Sequence, residues 1–243
     1  MAVAARDLLD LLLPRGCLAC GARIPPERAD ALICPICRVG LKPPTPPFCP
    51  RCQAPRGTGQ ASGELCLECR QWPPVLVSAR AAVILDSASG AMIHALKYRG
   101  WRNMAELMGK KMAGEGPPRG SDPVLVPVPT TAKRRRIRGY NQAAVLAGVL
   151  SRLWRLPVQE LLVRPSGRSQ VRLGPRERAT NVEGAFQLSG GFRSRIRGHD
   201  VILVDDVLTT GATARAAALA LAEGGIGRVH LRTFARALPF ALQ

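Results

Sequence analysis

The stretch Val201-Ile-Leu-Val-Asp-Asp-Val-Leu-Thr-Thr-Gly-Ala-Thr213 decides the fold of the larger part of this chain. Val201 to Val204 is an unbroken run of branched apolar residues, which is typical of a strand buried on both faces of a parallel sheet. The run predicts that Asp205 and Asp206 lie at the carboxyl tip of the strand, where open α/β sheets bind ligands. Paired carboxylates at that edge can accept hydrogen bonds from a vicinal diol or hold a hydrated Mg²⁺.

A hydroxyl-rich turn follows the two acids and leads into an Ala-rich helical pattern from Ala214 to Glu223. Backbone N–H groups, threonine hydroxyls and a helix N-terminus are therefore expected to converge on one anion. Acids at a strand end also occur in P-loop NTPases and in receiver-type phosphorylation domains. The string Gly-x-x-x-x-Gly-Lys-Ser/Thr, which a P-loop needs, is absent from the 243 residues.

The acids and the turn together resemble the phosphoribosyl-pyrophosphate (PRPP) motif of type I phosphoribosyltransferases. This resemblance implies that the acids bind the ribose hydroxyls, that the turn binds the 5-phosphate, and that the two acids are the candidate catalytic residues. The implied PRPP-binding residues are Asp205, Asp206, Thr209, Thr210, Gly211, Ala212 and Thr213.

The eight cysteines form four Cys-x-x-Cys pairs in two repeats that are offset by 32 residues. Two such pairs can complete a tetrahedral zinc site, and four regularly repeated pairs disfavour a redox motif. The pattern predicts two structural zinc ions with no open position for substrate. One ion per repeat is the simplest assignment, and an interleaved pairing stays open. The expected ligands are Cys17, Cys20, Cys34, Cys37, Cys49, Cys52, Cys66 and Cys69.

Three segments are expected: an N-terminal helix over 1–15, a double zinc ribbon over 16–78 and an α/β domain over 79–243. Strand and helix patterns alternate in the third segment, which predicts a doubly wound, mostly parallel sheet. The predicted strands are 79–85, 124–128, 158–162, 201–204 and 228–234, and the predicted helices are 89–97, 103–112, 142–153 and 213–223. The absence of an export signal and of a membrane-length apolar run favours a reduced, cytoplasmic location without membrane insertion.

The formal net charge of +18 divides into +3 over residues 1–78 and +15 over residues 79–243. Such a field attracts pyrophosphate, nucleic acid or an acidic lipid surface. A cationic loop after Pro129 is expected to bind pyrophosphate through Lys133, Arg134 and Arg138, with a solvated or nucleic-acid-binding run as the alternative. A second basic stretch, Arg164 to Asn181, predicts a mobile lid, with a disordered loop as the alternative. The lid residues are Arg168, Ser169, Gln170 and Arg178.

Two further features have simpler explanations. Lys97 and Arg99 stand at a predicted helix end before Gly100, where capping alone accounts for them. Trp72 ends the ribbon segment, where packing between domains is favoured over stacking on a base.

These motifs occur in the order of the ComF family, which the chain resembles over nearly its whole length. The matching strings are the ribbon pairs, Lys97-Tyr98-Arg99-Gly100, Arg138-Gly139-Tyr140-Asn141-Gln142, Ser169-Gln170 with Arg178, Asn181-Val182, and Val201 to Thr213. The family combines a double zinc ribbon with a type I phosphoribosyltransferase-like domain and is linked to competence, the handling of incoming single-stranded DNA. The resemblance implies PRPP with Mg²⁺ as ligand, and competence-machinery proteins or a second copy of the chain as partners.

Two hypotheses follow. In the first, the protein is a phosphoribosyltransferase of DNA uptake or nucleotide metabolism that displaces pyrophosphate from ribose C1. Glutamine-dependent chemistry is unsupported, because every cysteine belongs to a ribbon pair. In the second, it is a single-stranded-DNA-binding competence protein whose PRPP site is regulatory or vestigial. The sequence does not identify an acceptor substrate.

Overall fold

The fold was analysed on a computed structural model, which describes residues 16–25, 32–56, 63–118, 122–165, 185–189 and 198–238. The helix expected over 1–15 lies outside these residues. Among the described helices, none combines the length and the apolarity needed to cross a membrane.

A four-stranded sheet with the order β1-β6-β5-β2 forms the centre of the α/β domain. All three strand pairings are parallel, and the two middle strands are almost wholly buried because helices cover both faces. The strands are β1 (Leu76–Ile84), β2 (Val124–Pro127), β5 (Asp200–Leu208) and β6 (Arg228–Arg236). A separate antiparallel pair consists of β3 (Leu162–Val163) and β4 (Gln187–Leu188).

Helices cover both faces of the sheet, so the predicted doubly wound, mostly parallel sheet is confirmed. On one face the Ala-rich helix α7 packs through small buried residues such as Ala217 and Ala218. On the other face three helices bury longer side chains, including Met92, Met108 and Leu146. The helices of the domain are α3 (Ser87–Tyr98), α4 (Met104–Met112), α5 (Ala132–Arg138), α6 (Gln142–Trp154) and α7 (Ala212–Glu223).

The strand expected over 158–162 is wrong in its bounds. Val158 forms only an isolated parallel bridge to Leu125 at the β2 edge. The flanking backbone bonds join Leu125 N–H to Pro157 and Gln159 N–H to Leu125. The chain then leaves this edge, and the next two residues of strand belong to β3, which pairs with β4 instead.

The two ribbons pack on different faces of the sheet. Here the first ribbon means the residues around Cys17, Cys20, Cys34 and Cys37, and the second those around Cys49, Cys52, Cys66 and Cys69. Each contains a short helix that begins directly after a cysteine: α1 (Pro35–Val39) and α2 (Leu67–Arg70). The first ribbon joins the apolar cluster of Met92 and Phe234, and the second joins the cluster of Leu208 and Ala217.

Replacing Tyr140 by Phe is expected to lower the free energy of unfolding by about 1 kcal/mol. The buried Tyr140 hydroxyl donates a hydrogen bond to the Leu96 carbonyl near the end of α3, and the substitution leaves that carbonyl without its donor. Urea unfolding of the zinc-loaded protein measures the change. Tyr98→Phe is the matched control, because the Tyr98 side chain is 65% exposed. Equal losses for the two variants would contradict the role of the buried bond.

Candidate functional site

The two acids lie within β5 rather than at its carboxyl tip, where the sequence placed them. The strand continues to Leu208 because β6 pairs with it throughout, with Asp205 opposite Thr233 and Leu208 opposite Arg236. Asp205 is partly buried, whereas Asp206 is only 3% exposed. The Asp206 backbone N–H donates to Asp205 Oδ1 over 2.8 Å, which fixes the first carboxylate beside the second.

Asp206 is paired with Lys97, whose Nζ lies 2.8 Å from Asp206 Oδ1. Lys97 stands in the last turn of α3 and reaches the sheet from a different part of the chain. The explanation of Lys97 by capping alone is therefore wrong. The signal that marked this residue was the Lys97–Gly100 string shared with the ComF family. The second oxygen of Asp206 is buried and accepts no hydrogen bond from the described residues.

The Asp205 carboxyl holds its proton more strongly than an ordinary aspartate. Burial of the group and the neighbouring Asp206 charge raise the pKa of Asp205 to about 7, against the opposing effect of Lys97 and Arg164. Arg164 follows β3 and stacks its guanidinium over the Phe186 ring at 5.2 Å. From the sequence Arg164 was expected only at the start of a lid, and its electrostatic effect on the pKa of Asp205 had no local signal.

The turn Thr209–Thr213 forms the N-terminus of α7. Gly211 is the residue before the helix and has φ +83°, a conformation that favours glycine. The Thr210 hydroxyl oxygen accepts a hydrogen bond from Ala212 N–H over 3.4 Å. Except for Gly211, the residues of the turn are exposed. Exposed hydroxyls and the first amides of a three-turn helix thus face solvent directly after the acids, an arrangement that suits an anion. We call Thr209–Thr213 the anion loop.

The cationic stretch after Pro129 is the helix α5, not the loop that the sequence predicted. The Thr131 hydroxyl caps it by accepting from Arg134 N–H over 3.2 Å, and Gly139 ends it at φ +77°. Lys and Arg have high helix propensity, and the helix is capped at both ends. Together these two effects outweigh the repulsion between the positive side chains.

The three cations expected to bind pyrophosphate are oriented differently. The charge of Arg134 contributes to lowering the pKa of Arg164, after the larger effect of burial. Arg138 is directed toward Tyr98, 4.9 Å from its ring, and donates to Gln142. Lys133 is exposed on the same helix. The expected lid residues Arg168, Ser169, Gln170 and Arg178 lie outside the described part of the chain, so the lid stays a prediction.

The cysteines gather into two clusters, one for each sequence repeat. Within each cluster the four sulfur atoms lie within 4.8 Å of one another. The closest pairs include Cys20 to Cys34 at 3.7 Å and Cys52 to Cys66 at 3.5 Å. A tetrahedral zinc with bonds of about 2.3 Å separates its sulfurs by about 3.8 Å, so both clusters fit a structural zinc ion.

Backbone amides bond to one sulfur atom in each cysteine cluster. The Cys34 N–H bonds to Cys17 Sγ over 3.3 Å and the Cys66 N–H to Cys49 Sγ over 3.4 Å. A hydrogen bond from Cys69 lowers the pKa of Cys52 to about 5, in spite of its burial. Burial and the neighbouring Cys52 charge raise the pKa of Cys66 to about 12. Zinc binding would therefore displace protons from some of these thiols, since the metal binds thiolate.

Comparison with known proteins agrees with this architecture. A double zinc ribbon domain model matches residues 8–71. Competence protein ComFC of Bacillus subtilis (strain 168) is 29% identical over 206 residues, which cover 82% of this chain and 81% of that protein. DNA utilization protein YhgH of Escherichia coli (strain K12) is 28% identical over 245 residues, which cover 94% of this chain and 100% of that protein.

A solved structure of glutamine PRPP amidotransferase from B. subtilis overlaps 57% of this chain at 18% identity, with a TM-score of 0.36. The overlap spans only 26% of the length of that protein.

The fold and the cysteine clusters define a double zinc ribbon protein with a parallel α/β domain. The ribbon match and the competence and DNA utilization relatives support a ComF-family protein.

Metal analysis of a double variant tests how the cysteine pairs share the zinc ions. Cys20→Ser/Cys34→Ser removes one ligand from each pair of the first ribbon, so one zinc per chain is expected to remain. Elemental analysis of the purified protein measures the zinc content. Had the pairs been interleaved, the same variant would damage both sites, and a zinc content near zero would contradict the grouping by repeat.

Replacing Lys97 by Met is expected to lower the free energy of unfolding by about 3 kcal/mol, because Asp206 is left as a buried, unpaired charge. Adding Asp206→Asn to this variant should restore most of the loss, since no charge then remains. Urea unfolding of both variants measures the effect. Lys110→Met removes an exposed ion pair with Glu106 and serves as control, with a loss below about 0.5 kcal/mol expected. A Lys97 variant as stable as this control would refute the pairing.

Proposed function

We propose that the protein binds PRPP, or a related phosphosugar, across the carboxyl ends of β5 and β6, and transfers the phosphoribosyl group with release of pyrophosphate. The observation that carries the proposal is the buried Lys97–Asp206 pair immediately before an exposed helix N-terminus. A buried ion pair is costly to desolvate and contributes little to stability. Its position beside an anion loop points to a role in ligand binding.

The reaction needs electrostatic and positional help more than a general base. When the bond from ribose C1 to pyrophosphate breaks, positive charge develops on the sugar and negative charge on the leaving group. Asp205 and Asp206 bind the ribose hydroxyls and Thr209–Thr213 the 5-phosphate, which together hold the sugar in place. Lys97 holds the Asp206 carboxylate in place through its ion pair. Arg164 supplies positive charge on the side of the acids, where pyrophosphate would leave.

Magnesium fits the same site. Hydrated Mg²⁺ takes oxygen ligands, commonly one or two carboxylates together with substrate phosphates, so Asp205 and Asp206 would hold the ion, which would supply positive charge to the pyrophosphate. Asp205 offers a partly buried carboxylate, and the second oxygen of Asp206 is without a donor among the described residues.

Calorimetric titration with PRPP and Mg²⁺ tests the proposal. We expect binding by the wild type and a loss of at least tenfold in affinity for Asp205→Asn/Asp206→Asn, equivalent to about 1.4 kcal/mol or more. Asp200→Asn is the matched control: it removes one carboxylate from the opposite end of the same strand, where Asp200 pairs with Arg228 over 2.7 Å. Its affinity for PRPP should stay near that of the wild type. Absence of binding by the folded wild type at millimolar PRPP would overturn the proposal.

The affinity for PRPP should rise with pH between 6 and 8. With a pKa near 7, Asp205 is mostly protonated at pH 6 and mostly ionised at pH 8, and only the carboxylate accepts hydrogen bonds from the diol through both oxygens. The dissociation constant is therefore expected to fall by about tenfold over this range. The 5-phosphate itself titrates near pH 6, so Asp205→Asn measures the remaining dependence. An equally steep dependence in that variant would contradict the role of Asp205.

A second candidate function, binding of single-stranded DNA, is favoured by an exposed surface on and beside α5. Four consecutive cations, Lys133 to Arg136, are exposed on this helix. Beside it Tyr98 is 65% exposed and stacks with Arg138, and Trp101 is 36% exposed. Aromatic rings among cations suit stacking of bases along a phosphate backbone. The similarity to a competence protein and a DNA utilization protein agrees with this function.

A salt series with labelled single-stranded DNA tests the surface. Arg135→Ala/Arg136→Ala should weaken binding and reduce the slope of log affinity against log salt by about 1.4, or about 0.7 for each lost phosphate contact. Lys110→Ala/Lys111→Ala removes the same charge from exposed positions on α4 and should leave the slope unchanged. Equal losses in both variants would indicate attraction by net charge rather than a defined surface.

A further inference from the structure

The second ribbon touches the anion loop through Trp72. This side chain is 6% exposed, and its backbone N–H bonds to the carbonyl of the cysteine ligand Cys69 over 3.3 Å. The indole lies so close to Gly211 that a Cβ added there would stand 2.5 Å from Trp72 Cζ2. Gly211 is thus required both by its positive φ and by the ring against it. The packing that the sequence favoured for Trp72 is what the structure has, and its partner is the loop itself.

Arg236 contacts the anion loop from the sheet. It is 2% exposed and stands at the end of β6, opposite Leu208. Its Nη1 donates to the Thr209 carbonyl over 3.0 Å, which fixes the first residue of the anion loop.

Arg51 holds Trp72 against the loop. This residue precedes Cys52 and donates to three backbone carbonyls, those of Cys69, Pro73 and Leu76, over 2.7 to 2.9 Å. Its guanidinium also lies 5.6 Å from the centre of the Trp72 ring. The segment that carries the tryptophan is therefore tied to the Cys49–Cys52 turn, whose geometry the second zinc ion would fix.

The first ribbon offers an internal comparison. Its buried residues, among them Cys17 and Leu41, pack with Met92 and Tyr140 on the opposite face of the sheet. In the described part of the chain, a backbone hydrogen bond from Ile84 N–H to the Lys42 carbonyl joins this region to the sheet. The order of the first zinc centre is therefore not transmitted to the anion loop by the contacts that the second centre uses.

We propose that the second zinc centre positions the anion loop through Trp72, so that zinc retention by this centre and phosphate-ester binding by Thr209–Thr213 are thermodynamically coupled. The inference rests on the proposed function, since it takes the loop as the site of a sugar phosphate. Coupling is reciprocal: if zinc orders the loop for the ligand, the bound ligand makes the zinc harder to remove by the same factor. The first centre is uncoupled.

Zinc release to a chromogenic chelator, with and without ribose 5-phosphate, tests the coupling. This probe carries the ester that the loop would bind and lacks pyrophosphate. Two full-length variants separate the centres: Cys20→Ser/Cys34→Ser keeps the second and Cys52→Ser/Cys66→Ser keeps the first. Saturating ribose 5-phosphate is expected to slow release at least fivefold in the former and to leave it unchanged in the latter. Equal slowing in both, or none in either, overturns the coupling.

A tryptophan substitution distinguishes positioning from general stability and applies even if a cysteine variant fails to fold. In the otherwise unaltered chain, Trp72→Leu should retain two zinc ions but lose the slowing of zinc release by ribose 5-phosphate. Trp101→Leu, at a partly exposed ring, should keep it. A Trp72 variant that retains the wild-type slowing refutes the role of this residue.

Calorimetry with ribose 5-phosphate on the wild type separates this inference from the proposed function. If the ester binds but zinc release does not respond, only the coupling is wrong. If the folded protein binds neither ribose 5-phosphate nor PRPP, both proposals are wrong.

Discussion

The burial of a charged carboxylate inside a parallel strand is the constraint on which the site depends. Asp206 interrupts the apolar run of β5 and is almost completely withdrawn from water. An unpaired charge there would cost several kcal/mol, and Lys97 offsets this cost at 2.8 Å. Because Lys97 comes from α3, the buried carboxylate of Asp206 is stabilised only when α3 packs against the sheet. The same pair leaves one oxygen of Asp206 without a protein donor among the described residues and Asp205 with a raised pKa. Both features are characteristic of a site prepared for a ligand.

Much of this arrangement was predictable from local sequence, because local rules govern it. Hydrophobic periodicity predicted the apolar strand β5 and the Ala-rich helix α7. Backbone sterics explain the glycine at the start of that helix, within the anion loop. The four Cys-x-x-Cys pairs, which repeat with an offset of 32 residues, predicted the two metal centres. The sequence left the pairing of the cysteines open, and the structure groups them by repeat.

The rest depends on contacts between distant residues or on competing local effects. Lys97 and Asp206 are 109 positions apart, and only the folded sheet brings them together. The basic run after Pro129 was expected as a loop because of its charge, whereas a threonine cap and a terminal glycine make it a helix. The segment after Pro157 has the composition of a strand, but among the described residues two backbone hydrogen bonds join it to β2. The chain then continues into β3, which pairs with β4 instead. The proximity of Trp72 to Gly211 likewise has no local signature.

Amide hydrogen exchange tests most directly whether a phosphosugar binds at Asp205–Thr213. Exchange is followed residue by residue, with and without PRPP and Mg²⁺. Exchange of the first amides of α7, from Ala212 to Ala214, should slow on addition of the ligand, since these N–H groups would bind the 5-phosphate. The amides of α1, beside the first zinc centre, should be unchanged. Protection confined to the cationic helix α5, with none at the start of α7, would contradict a sugar-phosphate site and show only attraction of a polyanion to the basic surface.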